Sequence, residues 1–497
     1  NAYTGFDQTV YQLPIPSDDP EVLKKGMQVM RDWAQDALLT DEEIDKERGI
    51  ILEELRGGRG AQQRMQDKYF PLMLNGSRYA SRLPIGTEEN IKNFKYETLR
   101  KFHQDWYRPD LQALIIVGDI DVDQMESEVK RLFADLKTPE NPIPRTEYTV
   151  DLLNKNQFMV VTDPENRYTI GQIYIKHPEE DVTTVKDYRA QLHQVLYTRM
   201  LNARLGELSQ QANPSFIQAG VNIGEFIGGL SSMTAYFVAK PNEFEVGFKA
   251  LVRELERVKR FGFTDSEFQR AKSALIKSNE TAYTERDKKK SDSYVNAYLS
   301  YFLKDNPAMS NEDDYLITKQ LLPSLTLKEA EAVGAKNYVD QNRDVIILAP
   351  EKEKEQLPTE ALVGNWYSEL AAEELVAYDD KVSDLPLLAA QPVKGAVQSS
   401  KALAGLEAKE LILSNGVKVI LKPTTFKNDE LLFSAFSPGG SSLYGDADYY
   451  SASEAGDLVN SSGVGQLNTV ELQKYLTGKK VNVSPYIGER TEGLSGI

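Results

Sequence analysis

A chain of 497 residues exceeds one ordinary hydrophobic core, which sets a prior of about three domains, and its 41% hydrophobic content supplies the material to build them. A formal net charge of -17 argues against a nucleic acid or an anionic membrane held by bulk electrostatics, because both partners need a basic footprint. The lack of cysteine excludes disulfides, thiolate metal sites and a cysteine nucleophile, and no apolar run reaches the length of a membrane span.

The chain starts at Asn1 with neither Met nor a signal-like stretch and is expected to be a fragment. Residues 1–13 read as extended, and Asp19-Pro20 launches a helix. The next helix opens on a capping box, Thr40 with Glu43, and stops at Gly57-Gly58. At roughly 100° per residue, Ile44, Ile51 and Leu55 form one side of its apolar face and Ile50 the other. Glu47 and Glu54 fall between them, whereas Asp45 and Glu53 lie on the far side. Burying two unpaired carboxylates is costly, so this arc is expected to meet a cation or a proton.

A helix over 88–103, a strand-like run at 111–118 and a helix over 121–136 complete a first domain, 1–145, which ends in the proline-rich stretch 138–145. A second domain, 146–350, starts with strands at 157–162 and 170–176, a helix over 185–205 and a strand at 233–240. The order of the first region then recurs. Residues 241–260 repeat the helix of 20–38, Thr264-Asp265-Ser266-Glu267-Phe268 repeats Thr40-Asp41-Glu42-Glu43-Ile44, and 345–349 repeats 113–117. The two domains read as copies of one α+β unit. Counted from the capping glutamates, Glu47 and Glu54 become Ala271 and Ser278 in the second copy, so the fold itself does not require these acids. Residues 351–409 read as a tether with some helix, and 410–497 begins a third unit with two strands around an Asn415-Gly416 turn.

The helical spacing of Glu47 and Glu54 fits a proton-sharing pair, a buried salt bridge or a metal site lacking its other ligands, and does not choose among them. The three histidines, His103, His177 and His193, have no HExxH or HxxEH spacing and read as structural.

The runs Asn1-Ala2-Tyr3-Thr4, Asp7-Gln8-Thr9-Val10-Tyr11, Leu39-Thr40-Asp41-Glu42-Glu43, Glu47-Arg48-Gly49-Ile50-Ile51-Leu52-Glu53-Glu54 and Val117-Gly118-Asp119 resemble the pitrilysin/insulinase family of zinc metallopeptidases. The resemblance implies repeated α+β domains, each a mostly antiparallel sheet packed with helices, two per half. It also implies metalloendopeptidase activity on peptides or unfolded proteins inside a closed chamber. By position, Glu54 matches the family's glutamate ligand to zinc, Glu47 the acid beside it, and Asn1, Ala2 and Tyr3 the edge strand that pairs with substrate. The HxxEH that supplies two histidine ligands and the general base is not among these 497 residues, so the chain as it stands is expected to be inactive. The third unit carries no histidine at the corresponding 451–458 and reads as the start of a noncatalytic half, with 481–484 resembling the edge strand of residues 1–4. The alternative is a noncatalytic subunit that binds peptides or partners an active chain. A bacterial periplasm or cell envelope is the expected setting.

Overall fold

The computed structural model describes residues 1–383 and 385–497. The chain opens on a hairpin, β1 (Ala2–Thr4) and β2 (Thr9–Tyr11), followed by α1 (Pro20–Gln35), α2 (Asp41–Gly58), α3 (Ala61–Met73), α4 (Glu88–Asn93), α5 (Tyr96–Trp106) and α6 (Val122–Phe133). Next come β3 (Gln157–Asp163), β4 (Ile170–Pro178), α7 (Val185–Ser209), β5 (Gln218–Glu225), β6 (Leu230–Val238), α8 (Phe244–Phe261) and α9 (Asp265–Thr284). After α10 (Ser291–Lys304), α11 (Asn311–Leu321) and α12 (Leu327–Asn337) the chain forms β7 (Arg343–Pro350), α13 (Glu360–Ala372), β8 (Val397–Leu403), β9 (Ala408–Leu413) and β10 (Lys418–Leu421). It ends with β11 (Phe433–Pro438), α14 (Tyr449–Asn460), α15 (Thr469–Leu476), β12 (Val483–Ile487) and β13 (Thr491–Gly496). The fold is α+β, with antiparallel-rich sheets packed with helices.

Two compact units emerge, each built from discontinuous segments. The first comprises 1–262, 290–308 and 328–376. Its centre is a five-stranded sheet of order β3-β7-β4-β6-β5, antiparallel except for the β3–β7 pair. β7 is buried from Asp344 to Pro350, as a central strand covered on both faces must be. Met65 and Met73 of α3 join Val161, Ile346 and Leu348 of the sheet in one cluster, and Phe6 of the hairpin loop packs against it. Phe237 fills the sheet's other side so tightly that a Cβ on Gly171 would lie 2.2 Å from its ring. Lys176 and Asp344 form a fully buried ion pair at 2.6 Å, and Lys176 Nζ also donates to Met73 O and Asn75 Oδ1, tying the end of α3 to the sheet. Burial pulls Lys176 below and pushes Asp344 above its ordinary range, against their mutual attraction. On α13, Val363, Trp366 and Leu370 are buried, and Trp366 lies 5.5 Å from the Phe248 ring of α8.

The second unit comprises 263–289, 309–327 and 377–497. It holds two three-stranded antiparallel sheets, β10-β9-β8 and β11-β13-β12. The β9–β10 turn uses Gly416 at φ 85°, a conformation that glycine adopts without a Cβ penalty. α9 and α11 pack through the stacked rings of Tyr283 and Tyr315, 5.1 Å apart, and through Asn279 Nδ2, which donates to Thr318 Oγ1 at 2.9 Å. Asp380 gathers Arg270, Lys474, Ser266 and Thr264 around one buried carboxylate. Burial alone would raise its pKa, but the hydrogen bonds from Ser266, Lys474 and Arg270 outweigh burial and hold it at about 2.

Several sequence expectations need correction. The helix expected over 88–103 is two helices, because Phe94 leaves α4 in an extended conformation before Lys95 caps α5. The 111–118 run is no strand: 112–117, half-buried except for exposed Ala113, joins no ladder among the described residues, since an apolar pattern reports burial and cannot report pairing. Strand β5 was not anticipated, although Ala219, Val221 and Ile223 alternate with Gly220, Asn222 and Gly224 inside it. Thr40 accepts from the Glu43 N–H at 3.3 Å, yet Glu43 turns to Lys46 instead of closing the capping box.

Candidate active-site elements

α2 starts where Thr40 takes the first free N–H of the helix, with Asp41, Glu42 and Glu43 favourable in the positive first turn. It is set against α4 and α5 by polar contacts as much as by apolar ones. Tyr96 Oη donates to Asp45 Oδ2 at 2.7 Å, Arg100 Nε donates to Leu39 O at 3.0 Å, and Arg100 pairs with Asp41. The Tyr96 hydrogen bond, with Arg48 beside it, keeps Asp45 below the usual carboxylate range. Ile44 is the fully buried residue of α2, and Ile51, Leu52 and Leu55 are half-buried.

Glu47, Ile50 and Glu54 face outward, and Ile50 is 57% exposed. The expectation that both glutamates lie in a buried arc is therefore corrected: only the Ile44, Ile51, Leu55 side is covered by described residues. The packed side instead extends to Arg48, whose side chain is satisfied there, and not to Ile50.

The acids of α2 divide cleanly. Asp41 pairs with Arg100, Glu42 and Glu43 with Lys46, Asp45 with Arg48 and Glu53 with Arg56. Glu47 and Glu54 alone of the seven have no hydrogen bond or ion pair among the described residues. Neither has Lys or Arg three or four positions away on either side, which is a signal the sequence already carried. Seven residues apart, they share a face with their backbones about 10 Å apart along the axis, so they stand as two separate carboxylates.

The hairpin carries Asn1, Ala2 and Tyr3, all exposed. β1 pairs with β2 in the register Ala2↔Tyr11, Tyr3↔Val10 and Thr4↔Thr9. Asn1 and Gln12 exchange both backbone hydrogen bonds, at 2.9 and 2.8 Å, and Gly5 N–H donates to Gln8 O. In an antiparallel ladder these exchanging pairs alternate, so Asn1, Tyr3 and Gly5 turn their backbone groups inward to β2. The groups of Ala2 and Thr4 point to the free outer edge. Thr4 was missed by sequence reasoning, and Asn1 and Tyr3 can offer that edge only their side chains. Tyr11 fixes β2 from behind, with its Oη 2.8 Å from Tyr107 Oη and its ring 5.6 Å from Trp33. Tyr79 Oη holds the loop by donating to Asp7 at 2.9 Å.

The histidines are engaged elsewhere. His103 stacks on Tyr107 at 4.1 Å, and burial lowers its pKa. His177 Nε2 lies 3.0 Å from Asn337 O, and buried His193 lies 3.4 Å from Glu329. Among the described residues no three His, Asp or Glu side chains form a metal-binding group. A catalytic zinc takes three protein ligands, so Glu54 does not fit that role unaided and the described residues carry no metal-assisted step. No described helix is long and apolar enough to cross a membrane.

Comparison with known proteins bears directly on these elements. The family model described as Insulinase (Peptidase family M16) matches residues 1–74, which include the hairpin and α2, and that described as Peptidase M16 inactive domain matches 93–275. The chain is 28% identical over 466 residues to "Zinc protease PQQL-like" of Arabidopsis thaliana, covering 93% of this chain and 46% of that protein. It is 26% identical over 502 residues to "Probable zinc protease PqqL" of Escherichia coli (strain K12), covering 100% of this chain and 53% of that one. The crystal structure of the periplasmic protease PqqL from Escherichia coli superposes with a TM-score of 0.73 at 24% identity, over 100% of this chain and 55% of that chain. Pitrilysin superposes with a TM-score of 0.55 at 13% identity, over 96% of this chain and 50% of that chain. The chain thus spans about half the length of the curated relatives it matches. With the hairpin, the two-glutamate helix and the sheets in place, the chain belongs to the M16 family of zinc proteases, the pitrilysin/insulinase family.

Proposed function

We propose that this chain is the central part of a zinc-dependent metalloendopeptidase that hydrolyses peptides or unfolded proteins in a closed chamber. Glu54 would supply one carboxylate ligand, Glu47 would orient or tune the site from the same helix face, and the two histidines and the general base would come from an HxxEH outside these 497 residues. The observation that carries the reading is the pair of unpartnered acids on a helix whose other five acids are ion-paired. In this reading residues 1–145 belong to the catalytic domain, 146–350 to its structural repeat, 351–409 to a linker that carries the packed helix α13 and the paired strand β8, and 410–497 to the start of a noncatalytic second half. The likeness to a protein described as periplasmic supports a bacterial envelope setting.

Substrate is held at the outer edge of β1 by backbone pairing, through Ala2 and Thr4, with the side chains of Asn1 and Tyr3 beside it. Ala2→Pro removes an outward N–H and leaves the hairpin bonds of Asn1 and Tyr3 in place, so it is expected to weaken peptide binding while the hairpin persists. Unchanged affinity for an extended peptide, measured calorimetrically, would reject the edge as the binding element.

The catalytic reading is tested on the polypeptide that continues upstream of Asn1, by zinc content and peptide hydrolysis with and without Glu54→Gln. Stoichiometric zinc and hydrolysis, both lost on substitution, are expected. The match of 93–275 to an inactive-domain model favours a second reading, a noncatalytic subunit that binds peptides or partners an active chain. That reading wins if the longer polypeptide binds extended peptide but takes up no zinc.

A further inference from the structure

The stripe of α2 that faces α4 and α5 runs Ile44, Arg48, Ile51, Leu55, with the i, i+4, i+7 spacing of a packed helix face and an arginine in its second place. The Arg48 side chain is only 14% exposed. Burial of a guanidinium is tolerated when its donors find acceptors, and here each of its three nitrogens has one. One terminal nitrogen donates to Ile91 O and the other to Phe94 O at 2.5 Å. Nε donates to Asp45 Oδ1 at 3.0 Å, while the guanidinium lies 3.8 Å over the Phe94 ring. Ile91 O and Phe94 O are carbonyls at the end of α4, left without helical partners by the break at Phe94-Lys95. The unexpected break therefore creates the acceptor pair that a planar, forked donor matches.

We infer that Arg48 is a positioning residue: by forking onto the C-terminal carbonyls of α4 it fixes the rotation of α2 about its own axis, and so the direction in which Glu47 and Glu54 point. Glu47 precedes Arg48 directly, so a rotation that frees the guanidinium swings Glu47, and Glu54 two turns on, by the same angle. A hydrophobic residue at position 48 could pack at several rotations, whereas two carbonyls and a ring face outside the helix define one, with Asp45 of α2 itself holding the guanidinium plane. The sister helix makes the contrast: counted from Glu267, the equivalent position is Lys272, which lies 5.2 Å over Phe268 of its own helix. The consequence for a metal rests on the reading of Glu54 as a ligand. The fixing of the helix does not.

Because the chain has no cysteine, nitroxide labels at Ile50→Cys and Lys92→Cys are unique, and the distance between them reports the rotation of α2 against α4 in the 497-residue chain. A narrow distribution is expected with Arg48 present, and a broadened or shifted one in Arg48→Met at unchanged helix content. An unaltered distribution would overturn the inference. Should Arg48→Met not fold, Arg48→Lys decides by the same criterion, since it keeps the charge and loses the fork. In the upstream-extended polypeptide, Arg48→Met is expected to weaken zinc binding roughly 10- to 100-fold, the usual effect of removing a group that orients a ligand. A fall in thermal midpoint with unchanged zinc affinity would reduce Arg48 to a structural residue. If that polypeptide with Arg48 intact takes up no zinc at all, the peptidase reading fails, and the label distances alone still decide for or against the clamp.

Discussion

α2 and α9 open alike and end up with opposite duties. Each follows a threonine cap with an acidic first turn, and each runs for 18 to 20 residues. α9 then buries Glu267, Phe268, Ala271 and Leu275, and its Thr264 and Glu267 close a full capping box. α2 buries Ile44 alone and relies on Arg48, Asp45 and Arg100 to hold it, leaving the face of Glu47 and Glu54 open. At equivalent positions one helix packs an alanine into a core and the other presents a carboxylate. One register is thus packed into a core in α9 and left exposed in α2.

Exchanging those residues gives the sharpest test. Ala271 is 7% exposed, so Ala271→Glu places an unpaired carboxylate in apolar surroundings and is expected to cost about 3 kcal/mol in urea unfolding. A loss under about 1 kcal/mol would mean that the packed face of α9 accepts the acid and that the two helices do not differ as described. The next effect concerns how the start of α9 is secured. Asp380, at about 2, sits below its unfolded value, so its contribution is present above about pH 4 and is lost as pH falls through about 2. With its side chain 3% exposed, that contribution is about 2 to 3 kcal/mol. Asp380→Asn should lower stability at pH 7 by that order and flatten the stability profile between pH 4 and 2. An unchanged acid limb would show that Asp380 does not anchor α9.

How much of this was legible in the sequence depends on how local the signal was. Asp19-Pro20, Thr40, Gly58, Thr264 and Asn415-Gly416 each act within a few residues, and the starts and stops they implied are where α1, α2, α9 and the β9–β10 turn lie. Features that depend on distant partners were not legible. The apolar run before Gly118 joins no ladder, and the break at Phe94-Lys95 is met by Arg48 from 46 residues away. The phase of α2 failed for the same reason: Ile50 counts as core by hydrophobicity, but Arg48 had partners that no periodicity reveals. For the candidate site, the identity and shared face of Glu47 and Glu54 could be read directly, and their lack of neighbouring cations could have been. Which strand groups of the hairpin face outward required the observed register, since a shift of one residue exchanges Ala2 for Tyr3.

The two caps refine the comparison at a smaller scale. Thr264→Ala breaks a reciprocal box in which Glu267 accepts from Thr264 N at 2.7 Å, and is expected to cost about 1 to 2 kcal/mol. Thr40→Ala removes a single 3.3 Å bond at an exposed helix end, and about 0.5 to 1 kcal/mol is expected. Equal losses in parallel denaturation curves would remove the distinction between the two starts.

The smallest effect is the most telling about α2. Glu47→Gln and Glu54→Gln remove exposed charges that make no hydrogen bond or ion pair among the described residues, so each is expected to alter the stability of the 497-residue chain by less than about 0.5 kcal/mol. Asp45 differs, since its loss leaves Arg48 Nε and Tyr96 Oη without their acceptor and is expected to destabilise the chain more than either substitution. If Glu54→Gln destabilised the chain as much as Asp45→Asn, Glu54 would be a structural residue with an unrecognised partner. Near-neutrality instead means that folding gives no reason for either glutamate to be there, and the reason must be sought in what that open face binds.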